Sequence, residues 1–187
     1  MNKSQKQYFL NYLDRFNNIL DVSTNQISTF LKIYKILLKY KNKNTVHIFG
    51  NGGSASIASH FSMDLTNNSK IKCISYNDAS IITCYSNDFG YENWISRALE
   101  KYGKKNDLLI LISSSGKSKN VINAVKTARL KKFFKVISFT GFNKSNTLGK
   151  KADLNFWINS NEYNLIENSH QFYLLGLVDM LKKFKNK

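Results

Sequence analysis

The chain is predicted to fold as an α/β domain built on a parallel sheet, and three observations carry that expectation. Short apolar runs recur from Val46 onward at Val46 to Phe49, Ile71 to Tyr76, Leu108 to Ile112, Phe134 to Phe139 and Leu154 to Ile158. The segments between them are long enough for crossover helices, as a parallel sheet covered on both faces requires. Two of the runs are followed at once by loops rich in small residues, Gly50-Asn51-Gly52-Gly53-Ser54 and Ser113-Ser114-Ser115-Gly116-Lys117-Ser118. A strand-to-helix turn of that composition offers hydroxyls and backbone N–H groups to an anion at the positive end of a helix.

Two amphipathic helices open the chain, at about Gln5 to Leu20 and Thr24 to Tyr40. The first has Phe9, Leu10, Leu13, Phe16 and Leu20 on its apolar stripe and the second has Ile27, Phe30, Leu31, Tyr34 and Leu38, so both must pack on something. Ser54 to Leu65 and Lys117 to Leu130 are the helices expected after the two loops. A last helix, about Leu165 to Phe184, ends in lysines that suit its negative pole. There is no proline, no low-complexity linker and no internal repeat beyond the likeness of the two loops, so residues 1–187 are read as one domain, with a helical pair at 1–43 and an α/β core at 44–187. In such a sheet a ligand is expected beyond the carboxyl ends of the strands, where both loops fall.

Composition narrows the function. A chain of 187 residues, 42% of them hydrophobic, suffices for one well-buried core. No apolar stretch has membrane-spanning length, and the polar start Met1 to Gln7 leads into a helical pattern rather than a signal-peptide core, so a cytoplasmic protein is expected. Cys73 and Cys84 lack metal-ligand spacing and sit in apolar runs, which reads as two buried, reduced thiols. The formal charge of +16 attracts phosphorylated metabolites. Its lysines, among them Lys35, Lys41, Lys43, Lys104, Lys131, Lys185 and Lys187, are dispersed along the sequence with no nucleic-acid motif, and a nucleic-acid partner is not expected. Neither loop has the glycine spacing of a dinucleotide or P-loop site, so no nucleotide cofactor is expected either.

Taken with the loops, four further segments make the chain resemble the sugar isomerase (SIS) domain family, in its phosphoheptose isomerase branch. They are His60-Phe61, Ser86-Asn87-Asp88-Phe89-Gly90-Tyr91 with Ser96-Arg97, Asn120-Val121-Ile122, and Ile166-Glu167-Asn168-Ser169-His170, and they run in family order across nearly the whole chain. The resemblance implies a three-layer sandwich with a five-stranded parallel sheet, and a homotetramer, a dimer being the smaller alternative. It implies interconversion of sedoheptulose 7-phosphate with the aldose heptose 7-phosphate used for bacterial lipopolysaccharide or capsule. It places Ser113, Ser114, Ser115 and Ser118 on the substrate phosphate. Asn51, Gly52, Gly53 and Ser54 then line the sugar, and Asn87 and Asp88 face it, although asparagine and aspartate before a glycine are also ordinary turn residues.

Moving a carbonyl between C1 and C2 needs a base for a carbon-bound proton and a group that stabilises the enediolate oxygen. His60 and Asp64, four apart, share a helical face, and Glu167 and His170 are three apart on the last helix. Spacing alone makes the first pair a surface or capping interaction; the resemblance makes His60, Asp64 and Glu167 a candidate set for one zinc ion per subunit, with Asp64, Glu167 and His170 as acid–base candidates. Asp64 stands where the branch carries glutamate, Glu167 where it carries glutamine, and Leu175 where it carries a second histidine. Lys70 or Lys72 would supply the charge of an arginine that the branch has between Asp64 and Ile71. His47, inside the first strand, reads as a hydrogen-bonded core residue. Two alternatives stay open: a non-catalytic phosphosugar-binding or protein-binding module, and an isomerase of another sugar phosphate, such as an amino-sugar phosphate.

Overall fold

A computed structural model describes residues 2–40 and 44–184. The expected boundary at 43/44 and the lysines Lys41, Lys43, Lys185 and Lys187 lie outside the described residues. Two helices, α1 (Lys3–Leu20) and α2 (Thr24–Lys39), precede the alternating part, which runs β1 (Val46–Phe49), α3 (Gly53–Ser69), β2 (Cys73–Ile74), α4 (Ala79–Phe89), α5 (Trp94–Tyr102), β3 (Leu108–Ser113), α6 (Lys119–Leu130), β4 (Lys135–Thr140), α7 (Thr147–Lys151), β5 (Leu154–Trp157) and α8 (Tyr163–Phe184). All four strand pairings are parallel, in the order β2-β1-β3-β4-β5. The order reverses between β1 and β3, the crevice where such sheets bind ligands. The loops that leave these two strands are the glycine and serine loops.

Period-two alternation sorts the sheet residues onto two cores. Val46, Ile48, Leu108, Ile110, Ile112, Ile137 and Phe139 pack with α2, α3 and α8 on one face. Phe49, Leu109, Leu111 and Val136 pack with α5 and α6 on the other, where Trp94 meets Phe49 edge-on. The central strand β3 is buried at all six positions, which accounts for its unbroken apolar run.

His47 is the core residue the sequence suggested. Its Nε2 is 2.9 Å from Asp107 Oδ2, both side chains being almost fully buried. Asp107 also accepts from the amides of Thr45 at 2.9 Å and Lys104 at 2.7 Å. Burial pushes the Asp107 carboxyl up, but its hydrogen bonds to His47, Thr45 and Lys104 outweigh that and hold it below the ordinary carboxylate range. A depressed folded pKa gives stability that is present above the unfolded value and is lost as pH falls through the folded one. Asp107→Ala is expected to cost about 3–5 kcal/mol in urea denaturation at neutral pH, because it strands three donors, with the deficit shrinking in acid.

The structure revises several local expectations. The second strand is Cys73–Ile74, inside the longer run Ile71 to Tyr76. Asn87 and Asp88 are not in a turn: they lie in the last turn of α4, which Asp78 caps through the amides of Ser80 and Ile81. Cys73 is buried as expected, whereas Cys84 is exposed on α4 with its Sγ 3.8 Å from Asp88 Oδ2. Among the described residues no helix is long and apolar enough to cross a membrane.

Candidate active site

The serine loop is shaped by bonds that turn its carbonyls away from the ligand side. Gly116 N–H donates to Ser113 O at 3.0 Å and closes a turn in which Gly116 has φ +62°, a conformation glycine adopts without steric cost. The carbonyls of Ser114 and Gly116 accept from the amides of Gly141 at 2.8 Å and Leu148 at 3.0 Å. The hydroxyls are left unused. Ser118 is the N-cap of α6 yet its side chain makes no capping bond, and its Oγ lies 3.5 Å from that of Ser113. Ser114 Oγ is buried with no hydrogen-bond partner. A buried hydroxyl without a partner costs free energy unless a ligand satisfies it, and the first amides of α6 have no intrahelical acceptor. Hydroxyls and helix N-terminus together form an anion cradle.

The cradle lines a cavity of about 120 Å³ that also takes in Asn51, Ser54, Tyr163 and Glu167. Asn51 and Asn120 exchange amide hydrogen bonds at 3.1 and 2.8 Å, and Tyr91 OH donates to Asn51 Oδ1 at 3.1 Å. This network joins the loop after β1 to α6 and fixes which way the Asn51 amide faces. Gly52 is the N-cap of α3 with φ +53°, and Gly53 follows at the first position of that helix. A Cβ on Gly53 would collide with Glu167 Oε2, so the carboxylate of α8 rests directly on the N-terminal turn of α3. Burial pushes the Glu167 carboxyl above its ordinary range. A half-buried carboxylate with a raised pKa beside an anion cradle is suited to accepting and returning a proton. Gly53→Ala is expected to displace it and to cut turnover at least about tenfold with little effect on phosphate affinity, a comparison made by steady-state kinetics beside phosphate titration.

Other expected site residues are placed elsewhere. His170, three positions after Glu167, is turned about 60° around the helix and fully buried. Its Nε2 lies 3.2 Å from Thr140 O, its ring meets Phe139 edge-on, and burial lowers its pKa to about 4, so it is a neutral core residue and not a group in the cavity. His60 and Asp64 do pair, at 3.3 Å on the partly exposed face of α3, but they lie two and three turns beyond Gly53 and do not line the cavity. Among the described residues no three His, Cys, Asp or Glu side chains form a group able to hold a metal ion. Glu167 therefore does not join His60 and Asp64, and the zinc set does not fit within one chain. Asn87 and Asp88 are exposed and also lie outside the lining. Conversely, Tyr163 and Asn120 take part without having been singled out for a role. Tyr163 had a legible signal, since it stands one helical turn before Glu167 on the same face.

The family model described as SIS domain matches residues 7–141. The chain belongs to the SIS domain family. Its place in the phosphoheptose isomerase branch is supported by a phosphoheptose isomerase of Campylobacter concisus, 36% identical over 140 residues that cover 72% of this chain and 73% of that protein. A phosphoheptose isomerase of Histophilus somni is 45% identical over 107 residues, 54% of each chain. The chain thus spans about half the length of that relative, and 62% of one from Buchnera aphidicola. The solved phosphoheptose isomerase of Neisseria gonorrhoeae superposes with a TM-score of 0.86 over 97% of this SIS chain and 100% of its own, at 23% identity, which establishes the shared fold. The five-stranded parallel sheet between helices is that fold.

Proposed function

We propose that this SIS protein is an aldose–ketose isomerase of the phosphoheptose type, converting sedoheptulose 7-phosphate to its aldose heptose 7-phosphate. The observation that carries the reading is the joining, in one cavity, of a serine cradle for a phosphate and the raised carboxylate of Glu167. Ser113, Ser114, Ser115, Ser118 and the N-terminus of α6 hold the phosphate. The Asn51 amide and Ser54 orient the sugar chain. Glu167, ionised, takes the proton from the carbon beside the carbonyl; the electron pair moves to give the enediolate, and the same proton returns to the neighbouring carbon. Amide and hydroxyl donors of the two loops face the developing oxyanion. No step is routed through zinc, because one chain does not assemble its ligands.

Self-association supports the rest of the reading. Tyr8, Phe9, Leu10 and Leu13 of α1 and Ile27 and Leu31 of α2 are exposed, an apolar surface larger than isolated side chains explain. We propose that these faces build a homotetramer in the cytoplasm, and that Asp64 and the Asn87–Asp88 pair are presented to a neighbouring subunit's cavity rather than to their own. Light scattering checks the assembly: a mass of four chains is expected, and Phe9→Glu with Leu13→Glu should reduce it.

The function is tested by following sedoheptulose 7-phosphate by NMR. Formation of the aldose phosphate, abolished when Ser113 and Ser118 are both alanine, is expected. Binding without turnover would support the alternative of a phosphosugar-binding module, which is favoured by one feature: Glu167 is the only carboxylate that lines the cavity among the described residues.

A further inference from the structure

The lysines that look dispersed in the sequence are gathered by the topology. In a parallel sheet every strand starts at one edge, here the edge opposite the serine cradle. The turns that enter β2, β3 and β4 carry Lys70 and Lys72, Lys104 and Lys105, and Lys131 and Lys132, whereas the turns that leave strands carry Lys117 and Lys144 against Asp78 and Glu162. A lysine-rich composition by itself would load both edges alike.

At the middle of the basic edge runs a groove. One hollow of about 450 Å³ is lined by Lys35, Lys39, Asn106 and Phe134. Past Lys35 and Ile36 it meets a second of about 300 Å³ that reaches Lys32 and Lys135. The turns beneath are tied side by side: Asn44 Nδ2 donates to Lys105 O at 3.2 Å, and Asn106 N–H to Lys132 O at 3.0 Å. Phe134 is half exposed, yet its N–H donates to Asp107 O at 2.8 Å and the preceding Phe133 is buried, so the ring is presented by a fixed backbone. The nearby carboxylates are engaged: Asp107 is turned inward on His47, and Asp153, beside the second hollow, is 2.8 Å from Arg129 and 3.7 Å from Lys135.

We propose that this groove binds single-stranded nucleic acid, its phosphates on Lys35, Lys39 and Lys135 and one base stacked on Phe134. A row of cations beside a fixed, exposed aromatic ring is the arrangement that holds a strand without reading its sequence. The concave shape favours a strand over a flat anionic membrane. The groove and the cradle lie at opposite edges of the sheet, so both can be occupied at once.

Fluorescence anisotropy with a labelled oligouridylate of about 12 nucleotides tests the proposal, over a salt series starting near 50 mM. Lys35→Glu with Lys39→Glu should weaken binding at least about tenfold and make the salt dependence shallower by about one unit of slope. Phe134→Ala should weaken it about fivefold or more with the slope unchanged, and Phe134→Tyr should restore it. Lys117→Glu with Lys144→Glu, equal in charge change but at the other edge, should leave affinity within about twofold. Equal losses from both lysine pairs, indifference to Phe134, or binding to phosphatidylserine vesicles in place of the oligonucleotide would each overturn the proposal.

Discussion

Glu167→Gln is expected to lower kcat by about 10²–10⁴-fold while leaving the phosphate affinity of the cradle nearly unchanged. The amide fills the same space beside Gly53 but has no basic lone pair for a carbon-bound proton. The same substitution should raise Tm at pH 7. Burial lifts the folded pKa of Glu167 above its ordinary value, so its favourable contribution is complete below the unfolded pKa and is lost as pH rises through the folded one. At neutral pH the ionised carboxylate therefore opposes folding, and glutamine removes that cost; the difference in Tm should vanish near pH 4. In the wild type, kcat should rise with pH along an acid limb whose midpoint lies above the usual glutamate value of about 4.3. A residue with a merely structural role would lower Tm on substitution and leave the acid limb in place.

Gly116→Val is expected to raise KM for the sugar phosphate at least about tenfold and to destabilise the fold by about 2–4 kcal/mol. Two effects add. At φ +62° a β-branched residue is strained, and a Cβ at this position would collide with Asn146 Oδ1. Asn146 is itself committed: its Oδ1 accepts the Gly149 amide at 2.8 Å and its Nδ2 donates to Thr140 Oγ1 at 3.0 Å, so it cannot move aside without unmaking the cap of α7. The serine loop must then shift, and Ser113, Ser114 and Ser118 lose their common centre. Phosphate titration by calorimetry measures the first effect and urea denaturation the second.

The strands and both anion-binding turns were legible because their signals are local. An unbroken apolar run such as Leu108 to Ile112 fits only a strand buried on both faces, and small residues between strand and helix have few other uses. Residues whose role depends on rotation about a helix or on tertiary distance were less legible. Glu167 and His170 look equivalent at a spacing of three, but the 60° between them separates the cavity from the core. His60, Asp64 and Glu167 look like one ligand set until the length of α3 sets two full turns between Gly53 and His60. Cys84 was read as buried because it follows Ile81, Ile82 and Thr83, yet that run is a helix whose far side faces solvent. The convergence of lysines on one sheet edge is invisible in sequence, since it arises from parallel topology and not from proximity along the chain.

The central claim is that Glu167, above the serine cradle, moves a carbon-bound proton of a sugar phosphate. Proton–deuterium exchange at C1 and C2 of sedoheptulose 7-phosphate in heavy water, followed by NMR, tests it most directly. The account predicts deuterium incorporation by the wild-type protein that Glu167→Gln abolishes while sedoheptulose 7-phosphate still binds. Exchange that persists undiminished in Glu167→Gln, or binding with no exchange in the wild type, would contradict it.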